Sequence, residues 1–345
     1  NGKTTVKTLT ASILSRHART HVNPGNFNNE IGLPLAVLDL PEDAEYAVFE
    51  MGAGKPGDIA YLAAIARPEV GLVNNIAPAH LERMGSVEGV AMTKGALYES
   101  LPAGGTAVIN ADDAFAGTFT GLAGARRTLR FGLCSTAEVT ARIHDLGLQS
   151  RFTLVTPAGE AEITLPLPGR HNVMNALAAA ALVTALEVPL ATIRAGLEQA
   201  PGVAGRLAVR SSPAGWTLID DSYNANPGST AAAIATLTLV PGENWLVLGD
   251  MKELGPAAAD LHAGIGRLAR QSGVTRLFTV GPLAQVAAEA FGTGAEHYAD
   301  QPGLIAALRA ALRPGVRCLV KGSRSSAMDR VVAGVLGRGE ETHAA

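Results

Sequence analysis

The sequence predicts an α/β protein of two domains, each built on a mostly parallel sheet covered by helices. Two observations lead to this fold class. Short apolar runs alternate with helical patterns along nearly the whole chain, which is typical of parallel strands joined by helical crossovers. A stretch rich in proline and glycine, Ala200–Arg206, interrupts both periodicities and is the candidate linker. We therefore expect a first domain over residues 1–201 and a second over residues 202–345.

The first half of the chain contains elements of both kinds. Apolar runs predict strands at Ala47–Phe49, Gly71–Asn74, Thr106–Ile109 and Thr128–Phe131. Polar and apolar residues then alternate over Val139–Leu165, which indicates a β-rich segment because successive side chains of a strand point to opposite faces. Helical patterns follow at His171–Leu186 and Ala191–Gln199.

A second alternation begins after the linker and predicts a smaller, doubly wound domain. The expected strands are Trp216–Ile219, Trp245–Leu248, Arg276–Val280 and Arg317–Val320. The expected helices are Ser229–Leu239, Ala257–Gln271, Leu283–Ala290, Gly303–Leu312 and Ala327–Leu336. Because open α/β sheets bind ligands outside the carboxyl ends of their strands, polar residues at those ends are the functional candidates.

Composition and charge argue against several classes of protein. The 345 residues have a net charge of −3 with both signs mixed, so we expect no nucleic-acid partner. The sequence contains no run of about 18 apolar residues, so we expect no membrane insertion. Cys134 and Cys318 are far apart in sequence and are expected to be reduced, buried thiols of a cytoplasmic protein. We expect a monomer, because no feature of the sequence indicates an interface.

The chain opens with half of a phosphate-binding motif. Gly2-Lys3-Thr4 matches the end of the pattern G-x-x-x-x-G-K-[ST], and a helical pattern follows through about Ser15. In that motif backbone N–H groups hold phosphates, the lysine reaches the β- and γ-phosphates, and the hydroxyl binds Mg²⁺. The first glycine of the pattern would lie upstream of Asn1. Three residues alone are a weak signal, since chance or a simple helix start explains them as well.

Polar residues also follow two of the predicted strands. Glu50 ends the first strand, where a carboxylate can hold the Mg²⁺ that bridges phosphates. His80 follows the second strand by a few residues and is a candidate metal ligand or phosphate contact. Lys94 lies on a predicted helix that begins near Ser86. Taken singly, each has a plainer interpretation: a solvated strand-end carboxylate, a solvated loop histidine and a surface lysine.

Together, the ordered motifs of this chain resemble those of the Mur ligase family. The motifs span Asn1–Thr5, Asn26–Pro34, Glu50–Ala53, Asn74–Glu82, His171–Ala176, Asp220–Pro227, Leu248–Met251 and Lys321–Ser325. Within the family, three strings resemble those of the branch that uses D-alanyl-D-alanine. They are Asn-Phe-Asn-Asn-Glu-Ile-Gly from Asn26, Asp-Ser-Tyr-Asn-Ala-Asn-Pro from Asp221 and Val-Lys-Gly-Ser-Arg-Ser from Val320. The Asp-Asn-Pro-Arg motif of the sister ligase that adds the third residue does not occur in the sequence.

The resemblance implies a three-domain ligase, of which this chain matches a central P-loop ATPase-type domain and a C-terminal Rossmann-like domain. We therefore expect the uridine-binding domain and the front of the P-loop to be absent from this chain. The resemblance also implies the reaction. ATP transfers its γ-phosphoryl group to the terminal carboxylate of a UDP-N-acetylmuramoyl-tripeptide, and the amine of D-alanyl-D-alanine attacks the acyl phosphate, in peptidoglycan precursor synthesis. Two anions meet in the first step, so positive charge and Mg²⁺ are needed.

The resemblance assigns the phosphate and metal contacts to the first domain. Lys3 contacts the β- and γ-phosphates beside Gly2 and Thr5, while Thr4 and Glu50 share a first Mg²⁺. The other implied metal residues are His80, at a second Mg²⁺, and Lys94, which matches a lysine that the family carbamylates with CO₂. A carbamate supplies two anionic oxygens near the metal, where an ammonium would repel it. The implied catalytic residues are Lys3, His80 and Lys94.

The remaining implied contacts concern the nucleotide base, the ribose and the two substrates. Asn175 matches a residue near the adenine, and Arg206 matches an arginine that reaches the phosphates or ribose, unless it forms a surface salt bridge. Asp221, rather than its neighbour Asp220, is expected to bind the ribose hydroxyls. Tyr223, Asn224 and Asn226 are expected to line the space between the nucleotide and the dipeptide, and Asn28 and Asn29 to face the muropeptide. The expected contacts of the dipeptide's carboxylate are Lys321, Ser323 and Arg324. For the last three, an ordinary polar surface turn explains the sequence nearly as well.

Three alternatives stay open at this point. One is a sister Mur ligase that adds another amino acid, and another is a ligase similar to folylpolyglutamate synthase. The third is a catalytically silent nucleotide-binding fragment, which the incomplete P-loop would favour.

Overall fold

The structure, a computed structural model, describes residues 1–77, 81–133 and 137–337, and for Leu81 and Glu82 it describes the backbone only. His80 and Cys134 therefore lie outside the described residues. The other cysteine, Cys318, is fully buried, and burial raises the pKa of its thiol to about 12. The chain separates into two compact units, residues 1–201 and 202–345.

The first unit combines short parallel sheets, an antiparallel sheet and surrounding helices. Its strands are β1 (Thr20–Val22), β2 (Tyr46–Val48), β3 (Val70–Val73), β4 (Thr106–Asn110), β5 (Arg127–Phe131), β6 (Thr140–Leu146), β7 (Ser150–Thr156) and β8 (Gly159–Leu165). Its helices are α1 (Lys3–Leu14), α2 (Gly32–Leu38), α3 (Asp58–Ala66), α4 (Leu81–Met84), α5 (Val87–Glu99), α6 (Ala116–Ala123), α7 (Arg170–Ala185) and α8 (Leu190–Glu198).

The parallel strands bring the ends of neighbouring motifs to common edges. β1 pairs with β2, and β4 lies between β3 and β5, all in parallel. The segment from β6 to β8 forms a separate antiparallel sheet. The alanine-rich α7 lies in the main core, where small side chains let it pack closely against α1 and the strands. The side chain of Ser12 on α1 also donates a hydrogen bond to the carbonyl of Gly196 on α8, at 2.8 Å.

The second unit is one six-stranded sheet with helices on both faces. Its strands are β9 (Ala208–Ser211), β10 (Thr217–Asp221), β11 (Asn244–Gly249), β12 (Arg276–Val280), β13 (Ala295–Tyr298) and β14 (Arg317–Lys321). Its helices are α9 (Pro227–Leu237), α10 (Ala258–Gln271), α11 (Pro282–Phe291), α12 (Gln301–Ala311) and α13 (Met328–Leu336). The strand order is β13-β12-β11-β14-β10-β9, and among the described strands of this unit only β9 runs antiparallel to its neighbour.

The period of two along β11 divides the core of this unit between the two faces of the sheet. Leu246 and Leu248 pack with α9, α10 and α11, whereas Trp245 and Val247 pack with α12 and α13. Burial on both faces explains why the central strands are continuous apolar runs.

The predicted α/β class is confirmed, and each predicted strand and helix has an observed counterpart with ends within about two residues, the usual uncertainty of element boundaries. Sequence reasoning did not name β1, β9 and β13, which have few apolar residues, or α2, α3, α4 and α6, which have four to nine residues each. Among the residues that the structure describes, none of the helices combines the length and apolar character needed to cross a membrane.

Replacing Gly196 with alanine should destabilise the first unit. A Cβ atom at this position would lie 2.5 Å from the Ile13 Cα, so α1 and α8 would have to move apart. We expect Gly196→Ala to lower the free energy of unfolding by about 1–3 kcal/mol, as measured by urea denaturation. The matched control is Gly121→Ala on α6, where no atom lies within 4 Å of the added Cβ. It should stabilise the helix by about 0.5–1 kcal/mol, and equal effects of the two substitutions would contradict this packing.

Candidate functional site

The start of α1 has the backbone geometry of an anion-binding helix N-terminus. Gly2 precedes the helix with a φ of 78°, in the left-handed region. A Cβ atom at Gly2 would lie 2.3 Å from Asn175 Oδ1 and 2.7 Å from Asn74 Nδ2, so only glycine fits. Lys3 begins the helix and is exposed, and Thr5 is buried. The first N–H groups of a helix have no intrahelical acceptor and attract anions.

A series of asparagine side chains fixes the position of Asn175 beside this helix start. Asn74, at the end of β3, donates to the carbonyl of Asn1 at 2.8 Å and to Asn175 Oδ1 at 3.1 Å. Asn175 in turn donates to Asn172 Oδ1 at 3.1 Å. Asn74, Asn172 and Asn175 are all buried. Because each amide is held by its neighbour, the side chain of Asn175 has a defined orientation.

The carboxylate of Glu50 lies next to the same helix. Thr4 Oγ1 donates to Glu50 Oε2 and Asn28 Nδ2 donates to Glu50 Oε1, each at 2.9 Å. Glu50 is only 8% exposed. Asn28 thus contacts the strand-end carboxylate, whereas the Asn29 Oδ1 accepts the N–H of Gly32 at 2.8 Å, at the start of α2.

The donor set around Glu50 fits a magnesium ion. Mg²⁺ prefers a few oxygen ligands and keeps waters or substrate phosphates in its other positions, and Thr4 and Glu50 offer a hydroxyl and a carboxylate in contact with each other. Within residues 1–77, 81–133 and 137–337 no group of three or more histidine, cysteine, aspartate or glutamate residues is arranged to hold a metal by itself. The protein ligands would therefore have to be completed by phosphate and water.

Two buried residues that sequence reasoning missed support Glu50. Asn23 holds the Glu50 backbone from both sides: its Oδ1 accepts the Glu50 N–H at 3.0 Å and its Nδ2 donates to the Glu50 carbonyl at 3.1 Å. The ammonium of Lys7 donates to the carbonyls of Asn23 at 2.8 Å and Gly25 at 3.2 Å. Burial lowers the pKa of Lys7, while the negative charge of Glu50 opposes this shift. The available signal was a lysine on the apolar face of α1, one turn after Lys3.

Lys94 lies on α5 in a partly buried position. Burial and, to a lesser extent, the positive charge of Lys3 lower its pKa to about 8, while Asp113 acts in the opposite direction. Asp113 accepts the N–H groups of Ile76 at 2.7 Å and Phe115 at 2.9 Å. Sequence reasoning missed Asp113, although it follows the end of β4 as Glu50 follows β2. His80, predicted beside these residues, lies outside the described part of the chain.

In the second unit, a buried ion pair joins the carboxyl ends of two adjacent strands. Asp221 on β10 is opposite Lys321 on β14, and the Lys321 ammonium lies 2.5 Å from Asp221 Oδ2. Lys321 also donates to the Asn224 carbonyl at 2.9 Å and is only 2% exposed. Burial raises the pKa of Asp221, and the charge of Lys321 opposes this rise. Asp221 Oδ1 accepts the N–H of Leu207 at 3.2 Å.

Lys321 is also the residue expected to receive a substrate carboxylate, and in the structure its ammonium donates to Asp221 and to the Asn224 carbonyl. The neighbouring Asp220 is half-buried, and its Oδ1 accepts the hydroxyl of Ser222 at 2.6 Å.

The loops that follow these strands surround Tyr223. The guanidinium carbon of Arg206 lies 4.2 Å from the centre of the Tyr223 ring, and that of Arg324 lies 5.6 Å from it. Asn224 is exposed, and its Oδ1 is 3.4 Å from the backbone nitrogen of Arg324. Asn226 accepts the N–H of Ser229 at 2.8 Å and so caps the start of α9. Two cationic side chains and a ring with a hydroxyl are thus held together at this end of the sheet.

The hydroxyl groups of three serines gather at the end of β14. The Ser323 Oγ lies 2.9 Å from the Ser326 Oγ and 3.2 Å from the Ser325 Oγ. Ser323 is buried, whereas Arg324 beside it is exposed. Hydroxyl groups next to an exposed guanidinium are suited to a carboxylate or phosphate group.

A glycine-led helix start beside a buried carboxylate, at the end of parallel strands, is typical of α/β proteins that bind nucleotide phosphates. Comparison with known proteins identifies the family. Residues 1–183 match the model of the Mur ligase middle domain, and residues 205–324 match that of the Mur ligase, glutamate ligase domain. The chain belongs to the Mur ligase family, which confirms the resemblance inferred from the ordered motifs.

Relatives match the chain over nearly its whole length. One from Escherichia coli (strain K12), named UDP-N-acetylmuramoyl-tripeptide–D-alanyl-D-alanine ligase, is 43% identical over 96% of this chain and 74% of its own length. A crystal structure of MurF from Acinetobacter baumannii superposes with a TM-score of 0.91 at 35% identity, covering 98% of this chain and 75% of that one. MurF ligase from Thermotoga maritima, in complex with ADP, has a TM-score of 0.87 at 26% identity, covering 98% and 78%.

The lowered pKa of Lys94 predicts a pH dependence of stability. The folded protein releases the Lys94 proton near pH 8, whereas the unfolded chain keeps it up to about 10.5. At Lys94 the unfolded state therefore binds more protons between these values, and the contribution of Lys94 to the free energy of unfolding should rise with pH across this window. In metal-free protein, the free energy of unfolding of wild type minus that of Lys94→Met should therefore increase from pH 8 to pH 10.

The control for this measurement is Lys55→Met, which removes an exposed lysine. Its free energy of unfolding should follow the wild-type pH profile. A Lys94→Met variant that also follows the wild-type profile would show that Lys94 is not desolvated in the folded protein.

Proposed function

We propose that this protein is an ATP-dependent ligase that joins D-alanyl-D-alanine to a UDP-N-acetylmuramoyl-tripeptide. The main support for the ATP-dependent chemistry is the hydrogen bond between Glu50 and Thr4 at the start of α1, directly after Gly2. The names of the relatives support the substrates, and the ADP complex of the Thermotoga maritima structure supports the nucleotide. The reaction supplies a peptidoglycan precursor, and we place it in the cytoplasm, with the protein acting as a monomer.

In this proposal the start of α1 binds the phosphates of ATP. The first N–H groups of α1 and the exposed ammonium of Lys3 face the β- and γ-phosphates, and Thr5 continues the same turn. Thr4 and Glu50 would hold Mg²⁺, whose charge would offset that of the phosphates and of the approaching carboxylate. Fixed donors at this position stabilise the charge that moves onto the leaving ADP.

Lys94 is the second component of the proposed metal site. An amine with a pKa of about 8 is about one-tenth neutral at pH 7, and only the neutral amine reacts with CO₂. The carbamate would replace an ammonium near Lys3 by two anionic oxygens. We propose that this group, with His80, supports a second Mg²⁺. The low pKa supports this modification, because burial disfavours the charged amine more strongly than the negative charge of Asp113 favours it.

Asn175 on α7, the Asn28 loop and residues of the second unit are proposed to bind the base, ribose and substrates. Asn175 contacts the adenine, and Arg206, Asp221 and Tyr223 contact the rest of the nucleoside and its phosphates. The proposed substrate contacts are Asn28 and Asn29 for the muropeptide, and Asn224, Asn226, Ser323 and Arg324 for the dipeptide. Lys321 is proposed to act indirectly, because its ammonium orients the carboxylate of Asp221.

The chemical steps follow from these contacts. A tripeptide carboxylate oxygen attacks the γ-phosphorus of ATP, and the bond to the β,γ-bridging oxygen breaks, which gives an acyl phosphate and ADP. The neutral amine of D-alanyl-D-alanine then attacks the acyl carbon. Inorganic phosphate leaves with the bonding electrons, and the amine proton is released, so the net products are the amide, ADP and phosphate.

An acceptor panel tests the proposed substrates. With ATP, Mg²⁺ and UDP-N-acetylmuramoyl-tripeptide present, D-alanyl-D-alanine should stimulate phosphate release and form the amide, measured by a coupled phosphate assay and mass spectrometry. Single amino acids and glutamate should give no stimulation. Stimulation by glutamate or by a single amino acid instead would favour a sister ligase or a folylpolyglutamate-synthase-like activity. Phosphate release with no acceptor would leave only an ATPase.

Removing the charge of Glu50 tests the proposed metal ligand. Glu50→Gln keeps the shape of the side chain but weakens its affinity for Mg²⁺. We expect the Mg²⁺ concentration for half-maximal activity to rise about tenfold or more, and kcat to fall about a hundredfold. The matched control is Glu42→Gln, at an exposed glutamate before β2, which should match wild type. A Glu50→Gln variant with the wild-type Mg²⁺ requirement would exclude Glu50 as a ligand.

A further inference from the structure

The turn that follows β11 connects several segments of the second unit and has no role in the mechanism above. It consists of Asp250 and Met251, both of them buried. The carboxylate of Asp250 accepts the N–H groups of Leu283 at 3.0 Å and Ala284 at 2.8 Å, which are the first free N–H groups of α11. The turn is therefore fixed to α11 through its side chain, and its backbone remains available for other contacts.

The buried ring of His262 on α10 binds the backbone of this turn. His262 is 0% exposed, its Nδ1 lies 2.7 Å from the Ala258 carbonyl oxygen, and its Nε2 lies 2.9 Å from the Met251 nitrogen. A carbonyl only accepts and an amide N–H only donates, so the proton must be on Nδ1 and the lone pair on Nε2. His262 is thus a fixed, neutral acceptor for the Met251 N–H.

The opposite edge of the same peptide group supports the loop after β14. The Asp250 carbonyl accepts the N–H of Ser323 and the hydroxyl of Ser326, both at 2.9 Å. This carbonyl and the Met251 N–H belong to one planar, trans peptide and point in opposite directions. The orientation of the N–H therefore determines the orientation of the carbonyl. His262 therefore binds one edge of this rigid peptide group, and Ser323 and Ser326 bind the other edge.

We propose that His262 is a positioning residue for the loop Gly322–Ser326, acting through the peptide between Asp250 and Met251. This inference rests on the proposed function in one respect, namely that Ser323 and Arg324 of this loop meet the carboxylate of D-alanyl-D-alanine. A rotation of the peptide would shift the Ser323 N–H and the Ser326 hydroxyl together, and a displacement of about 1 Å at a substrate contact costs up to a hundredfold in rate.

The comparison of two amides at position 262 tests this proposal. Glutamine places its carbonyl oxygen near the position of Nε2 and can still accept the Met251 N–H. Asparagine is one bond shorter: its amide N–H₂ can take the position of Nδ1 and donate to the Ala258 carbonyl, but none of its atoms reaches the Met251 N–H. We expect His262→Asn to raise the KM for D-alanyl-D-alanine about tenfold, and His262→Gln to keep it within about twofold of wild type. The KM for ATP should be unchanged in both.

Hydrogen exchange of the loop gives a readout that does not depend on activity. The Ser323 amide should exchange faster in His262→Asn than in wild type or His262→Gln. The control is His297→Gln on β13, an exposed histidine that contacts Thr279, which should change neither the exchange nor the KM. If His262→Asn does not fold, Ser326→Ala removes one bond to the same carbonyl and should raise the KM for the dipeptide about threefold and speed the exchange.

The outcomes separate this proposal from the proposed function. Unchanged exchange and unchanged KM in His262→Asn, or in Ser326→Ala where that variant replaces it, would overturn the positioning role. Faster exchange together with a selective rise in the KM for the dipeptide would support it. A third outcome is faster exchange in His262→Asn while the wild-type protein ligates no D-alanyl-D-alanine. This result would support the role of His262 in positioning the loop and would reject the proposed substrate.

Discussion

The carboxylate of Glu50 is the contact on which the phosphate-binding half of the molecule depends. It accepts hydrogen bonds from Thr4 on α1 and Asn28 on the following loop, while Asn23 fixes its backbone. A buried carboxylate without such donors would be unfavourable. The start of α1, the Asn23–Asn29 loop and the end of β2 are therefore held to one another by a group that is also suited to a metal ion. The same contacts that stabilise the fold locally preorganise the site, which reduces the rearrangement needed when ligands bind.

The second unit uses a related arrangement at the ends of β10 and β14. Parallel register brings Asp221 opposite Lys321, and the pair is satisfied further by the Leu207 N–H and the Asn224 carbonyl. A buried ion pair adds little net stability, but removal of one partner leaves the other uncompensated. Its main effect here is to fix the two loops that carry Tyr223 and Arg324. In both units, charged side chains at the carboxyl ends of parallel strands are tied to the loops that follow them.

Much of this organisation was predictable from the sequence, and the exceptions have a common physical origin. Strand and helix periodicity depends on neighbouring residues, so the order of elements and the exposed candidates Lys3 and Arg324 were accessible. Lys7 and Asp113 were not found, because their significance comes from burial and from partners distant in sequence. The expectation for Lys321 missed its pairing with Asp221 for the same reason: strand register, not local sequence, places a carboxylate 2.5 Å away.

In the proposed function, the start of α1 and Glu50 together form a magnesium-dependent nucleotide site. The most direct test is calorimetric titration of the protein with a non-hydrolysable ATP analogue, once with Mg²⁺ and once with a chelator. The account predicts binding at one site per chain with Mg²⁺, and weakening by about tenfold or more without it, since phosphate charge would then be poorly offset. Binding of equal strength under both conditions, or no binding under either, would contradict it.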